Sequence, residues 1–162
     1  PCCSPQVHQR FPEPWRSSMT LAAIEAAIPH REPFLLLDEI VEQQENRITC
    51  RKTFRGDEFW FAGHYPDFPL VPGVLLCEAA MQAGAVLLAR HAQGLEGVPV
   101  TTRMGDVRFK QMVQPGDTVT LDVTLDEQVS HAFYLTARVT VRGRMAVRLT
   151  FACTMAAAGQ TS

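Results

Sequence analysis

GHYPDFPLVPGVLLCEAAMQ, residues 63–82, joins two segments with opposite local rules. Pro66, Pro69 and Pro72 are evenly spaced, and each fixes φ and lacks a donor. The stretch carrying His64 is therefore extended and stiff, and excluded from a helix or a central strand. From Pro72 the chain turns apolar as far as Arg90. Proline suits the first helical turn, where its missing N–H costs nothing, so a helix is predicted over 72–90. Val74, Leu75, Leu76, Ala79, Ala80, Met81, Ala83, Ala85, Val86, Leu87 and Leu88 spread over every face, which predicts burial all round. A membrane span is the rival reading. Glu78 and Gln82 within the helix, with only about 17 residues available, argue for a core helix instead.

What surrounds such a helix is read from the segments on either side. Downstream of Gly97, MGDVRFKQMV leads to a turn at Pro115–Asp117, followed by VTLDVTL, FYLTARVTV and MAVRLTFACTM. Val119, Leu121, Val123 and Leu125 alternate with Thr118, Thr120, Asp122 and Thr124, the period of a strand with one buried face. Consecutive strands joined by tight turns pair antiparallel. Upstream, FLLLDEIV (34–41) reads as a strand or a strand-like lead into one, and RITCRKTF (47–54) as a further strand after an EQQEN turn. Leu21, Ile24, Ala27 and Ile28 have helical spacing that Pro29 stops. The predicted fold class is α+β: a long antiparallel sheet wrapped around one buried helix.

At 162 residues the chain fits one domain, with enough interior to need no metal or disulfide staple. Residues 1–18, with four prolines and no apolar period, read as a disordered lead, 19–157 as the folded domain and 158–162 as a flexible tail. A net charge of −2 argues against general nucleic-acid or anionic-membrane binding. The five cysteines show no metal-ligand spacing and suggest a reducing, cytoplasmic setting, with no signal segment near the start.

The chemistry lies in the opening stretch. Glu78 is an acid on a hydrocarbon helix, where a charged carboxylate is costly unless paired or protonated. Gln82, four residues on, shares its face and can orient it. Such a setting suits a general acid, and the imidazole of His64 suits a general base near neutral pH. Gly73 and Val74, at the helix start, offer unpaired N–H groups to a polarised carbonyl. Taken singly, each residue also admits a purely structural role. His8, His30, His91 and His131 lack a comparable setting, and no role is assigned to them.

Together these segments resemble the 3-hydroxyacyl-acyl-carrier-protein dehydratases: a glycine–histidine–aromatic–proline stretch, then PGV and a glutamate. IPHREPFLLLDEI (28–40) and VRFKQMVQPGD (107–117) extend the likeness in the same order and spacing, over nearly all of residues 20–155. The resemblance implies a hot-dog fold and a homodimer with composite active sites, a trimer of dimers being the larger assembly compatible with it. It implies His64 and Glu78 as catalytic pair, with Gly73, Val74, Gln82, Phe61 and Phe109 around the substrate. Glutamate at position 78, where the related dehydratase-isomerases carry aspartate, favours dehydration without isomerisation. No metal or other cofactor is implied. The partner implied is an acyl carrier protein, which is acidic, so Arg108, Lys110, Arg138 and Arg142 are candidate docking residues. Two departures stand out: Asp67 where the family has glycine, and VPVTTRMGD (98–106), which lacks the aromatic character expected at a tunnel mouth. A hot-dog thioesterase and a non-catalytic acyl-binding subunit are the alternatives.

Overall fold

Alternating buried side chains build the centre of the sheet. In the computed structural model, which describes residues 20–92 and 97–156, six strands pair antiparallel throughout. They are β1 (Glu39–Gln43), β2 (Arg47–Thr53), β3 (Val98–Phe109), β4 (Thr118–Val129), β5 (Ala132–Val141) and β6 (Arg144–Ala156), in the spatial order β1-β2-β4-β5-β6-β3. Val119, Leu121 and Val123 of β4 are fully buried, and Phe133, Leu135, Ala137, Val139 and Val141 repeat the pattern on β5. Two helices accompany the sheet, α1 (Leu21–Ala27) and α2 (Gly73–His91). The lead and tail expected at residues 1–18 and 158–162 lie outside the described residues.

The turns follow their residues. Gln114–Asp117 closes with Asp117 N–H donating to Gln114 O at 3.0 Å, and Gly116 takes the positive φ of 88° that a Pro-Gly turn demands of its third residue. Between β5 and β6 the two-residue loop Arg142-Gly143 has φ of 49° and 71°, the primed turn whose twist matches a hairpin.

α2 has the length and hydropathy of a membrane span, yet it is a core helix gripped by the sheet. It begins at Gly73, with Pro72 as the N-cap, so the proline sits one place earlier than the sequence suggested. Its burial is not all round. Val74 is 66% exposed, and Leu75, Glu78 and Met81 are half-buried along the same side. Beside that open strip the helix meets the sheet so closely that a Cβ at Gly84 would lie 2.7 Å from Cζ of Phe151. Gly84→Val is therefore expected to destabilise the fold by about 2–3 kcal/mol through overpacking, and to lower the melting temperature by about 5–10 °C in a calorimetric scan.

The apolar run at 34–37 takes the second of its two expected forms, a lead into a strand. Leu35, Leu36 and Leu37 are buried but precede β1, which opens only at Glu39. They form a lead clamped by Asp38, whose carboxylate accepts from the buried Lys52 ammonium at 2.9 Å and from Thr53 N–H at 2.7 Å. β3 starts at Val98, directly after Gly97, where the strand pattern was expected to begin. It is an edge strand broken by two register shifts, so its side chains show no clean alternation.

Candidate active site

The stiff segment predicted around His64 is a sequence of turns. A short 3-10 turn (Phe59–Ala62) delivers it, and His64 N–H donates to Trp60 O at 2.9 Å. Tyr65 follows with φ of 51°, an uncommon conformation for a non-glycine residue, and its ring meets the imidazole edge-on with centroids 4.7 Å apart. Phe68 N–H donates to Tyr65 O at 2.9 Å, and Val71 N–H to Val113 O at 2.8 Å, tying the segment to the chain ahead of the Pro-Gly turn. His64 thus stands half-buried on a backbone fixed at both ends.

Glu78 lies on the open side of α2, its side chain 23% exposed. Gln82, itself buried, donates from Nε2 to Glu78 Oε1 at 3.0 Å and to Phe34 O at 2.9 Å, while its Oε1 accepts from Leu36 N–H at 2.8 Å. The glutamine therefore bolts the helix to the 34–36 lead and fixes one carboxylate oxygen, the geometry its spacing predicted. The histidine facing Glu78 within one chain is His30, with Nε2 3.8 Å from Oε1. Among the described residues no hydrogen bond or ion pair joins His64 to Glu78, so a single chain does not unite the two expected partners. Sequence reasoning passed over His30, although it stands within the IPHREPF stretch that carried the resemblance.

An apolar cavity of ≈ 660 Å³ opens at the start of α2, bounded by Leu70, Gly73, Val74, Leu76, Phe109 and Met112 among others. Phe109 packs over Gly73 so tightly that a Cβ there would lie 2.7 Å from its ring. Glycine is required for that close approach. Gly73, Val74 and Phe109, three expected substrate contacts, thus meet at one cavity, which Lys110 also lines. Phe61 belongs instead to the buried core and is not among the residues bounding this cavity.

The basic candidates separate. Arg142 is committed locally, its guanidinium 3.3 Å from the Asp117 carboxylate and its backbone in the hairpin turn. Arg138 and Arg148 are register partners on β5 and β6, and Arg148 faces Arg108 on β3, giving a row across three strands. All three are exposed and, among the described residues, none has an ion pair. Asp122, opposite Arg138 on β4, is already engaged by Arg47 and Thr49. The free thiols of Cys50, Cys77 and Cys153 are buried, and burial pushes all three up, Cys50 to about 12 with Asp122 adding to the rise. They are inert core residues rather than nucleophiles.

Comparison with known proteins supplies the family. A family model described as ApeI-like (ApeI dehydratase) matches residues 40–145, well over half of the chain. Among solved structures, the dehydratase heterocomplex ApeI:P from Xenorhabdus doucetiae superposes with a TM-score of 0.69 at 17% identity, covering 83% of this chain and 91% of that one. Protein PH1136 from Pyrococcus horikoshii gives 0.62 at 16% identity, covering 90% and 95%. The class is that of the hot-dog dehydratases. Narrower likeness comes from curated relatives named 3-hydroxyacyl-[acyl-carrier-protein] dehydratase FabZ. That of Staphylococcus carnosus is 42% identical over 80% of this chain and 91% of its own length, and that of Clostridium perfringens 38% identical over 79% and 92%. The chain belongs to the FabZ family of 3-hydroxyacyl-[acyl-carrier-protein] dehydratases.

Proposed function

We propose that this protein removes water from (3R)-3-hydroxyacyl thioesters on an acyl carrier protein, yielding trans-2-enoyl thioesters in fatty-acid biosynthesis. One observation carries the reading: a carboxyl held through a single oxygen stands on the central helix of a FabZ-family chain, whose first turn opens onto an apolar cavity. The thioester carbonyl is bound by N–H groups of Gly73 and Val74, which raises the acidity of carbon 2. His64 takes the carbon-2 proton, the electron pair forms the double bond, and Glu78 protonates the departing 3-hydroxyl as water. No cofactor enters this scheme.

A dimer completes the site. His64 and Glu78 are not joined within one chain, and the twelve-residue β3 is a sheet edge carrying exposed Val98, Val100 and Met104. Long apolar edges invite pairing with another chain. Two copies joined along β3 and the open side of α2 would bring the base of one toward the acid of the other. The soluble enzymes of this family act on carrier-bound substrates, and a reducing cytoplasm fits the buried, free thiols.

The test is to incubate purified protein with carrier-bound 3-hydroxyacyl substrates while following enoyl absorbance and free thiol. Enoyl formation without thiol release is expected. Thiol release without enoyl formation would make the protein a hot-dog thioesterase instead.

For the carrier, the arginine row supports docking better than the Arg138–Arg142 pair. Like charges directly opposite on neighbouring strands repel, and an acidic partner relieves that repulsion. Arg138→Glu with Arg148→Glu is expected to raise KM for carrier-bound substrate about tenfold, equivalent to about 1.4 kcal/mol, and to leave a pantetheine thioester unaffected. Equal effects on both substrates would remove the docking assignment.

A further inference from the structure

His30 occupies a position the sequence left without a role. Its loop is unusually constrained: Arg31 donates to Ile28 O, His30 O and Glu25 O at 2.7–2.9 Å, and the His30 ring stacks on Phe34 with centroids 6.4 Å apart. Phe34 O is the same carbonyl that accepts from Gln82. The imidazole is thus fixed from the loop side, and its Nε2 lies 3.8 Å from Glu78 Oε1. Its Nδ1 is buried without a partner.

A buried imidazole N–H without an acceptor is costly. That cost disfavours the tautomer with its proton on Nδ1 and favours the proton on Nε2, the nitrogen nearer Glu78. Nε2 to Oε1 is about 0.9 Å longer than an ordinary N–H···O bond, a looseness common at sites that tighten only when substrate binds. Oε1 would then accept from both Gln82 and His30. Two donors on one oxygen favour it as the carbonyl oxygen of the carboxylic acid, which leaves the hydroxyl to the other one. Among the described residues Oε2 has no hydrogen-bond partner.

We infer that His30 is a positioning residue: with Gln82 it reserves Oε1 of Glu78 as acceptor, so that Oε2 alone carries the proton delivered to the substrate hydroxyl. The inference rests on the dehydratase reading above. It assigns His30 no proton transfer of its own, since the proton leaves Oε2 and the charge left behind is shared over a carboxylate still held by two donors. In this arrangement His30 acts on kcat, through the orientation of the acid, and not on substrate binding.

The experiment compares His30→Gln, which keeps a side-chain donor, with His30→Met, which fills similar space without one. For each, kcat and KM with a carrier-bound 3-hydroxyacyl substrate are measured beside a thermal melt. His30→Met is expected to lower kcat about 10- to 100-fold with KM within about twofold of wild type, and His30→Gln to retain at least about a third of wild-type kcat. A His30→Met enzyme with wild-type kcat overturns the inference. So does a His30→Gln enzyme as impaired as His30→Met, or a pair of variants that both fail to fold, because His30 would then serve structure alone. Wild-type protein without dehydratase activity is a separate result, which defeats the proposed function itself.

Discussion

Glu78→Gln is expected to lower kcat for dehydration by about 10²- to 10⁴-fold, the contribution of a positioned general acid, while the protein melts as wild type does. The substitution keeps shape and one carbonyl oxygen, so the hydrogen bond from Gln82 survives. It removes the one property the mechanism needs, a transferable proton. Stability is spared because the side chain is only half-buried on the open side of α2, and no buried partner is orphaned. Steady-state kinetics with a carrier-bound substrate, paired with a melting curve, checks both halves. Near-normal turnover in the variant would move the acid elsewhere.

His64→Ala is expected to cost a similar factor, about 10²- to 10⁴-fold in kcat, for the complementary reason that nothing then removes the carbon-2 proton. The fold should again hold. His64 contributes its backbone N–H to Trp60 O, which alanine retains, and its ring meets the exposed ring of Tyr65 edge-on. Combining the two substitutions is expected to cost little more than either alone, because groups that act as one unit are not additive. A double variant whose losses multiply in full would indicate two independent roles.

These residues also mark what the sequence made legible. The core helix, the β4 and β5 faces, the Pro-Gly turn and the Glu78–Gln82 hydrogen bond all follow from local spacing, since each depends on residues a few positions apart. Periodicity carries no information about contacts between distant segments. That is why the bolt from Gln82 to the Leu36 lead, and with it the approach of His30 to Glu78, emerged only in three dimensions. β3 was hard to read because bulges break its alternation and its edge position leaves both faces of the strand open. Arg142 resembled a free surface charge, but the hairpin turn and Asp117 claim it. The half-open side of α2 was hidden because Val74 and Met81 are as apolar as the residues facing the sheet. An exposed hydrocarbon stripe beside an acid is what a second copy would cover.

The account depends on base and acid coming from different copies of the chain. Co-expressing His64→Ala chains with Glu78→Gln chains tests this directly. In a mixed dimer with shared sites, one site receives both defects and the other receives none, so activity should return to about a quarter of wild type in a random mixture of two-fold dimers. If the mixed protein stays as inactive as its parents although mixed dimers are present, both groups act within one chain and the composite site is wrong.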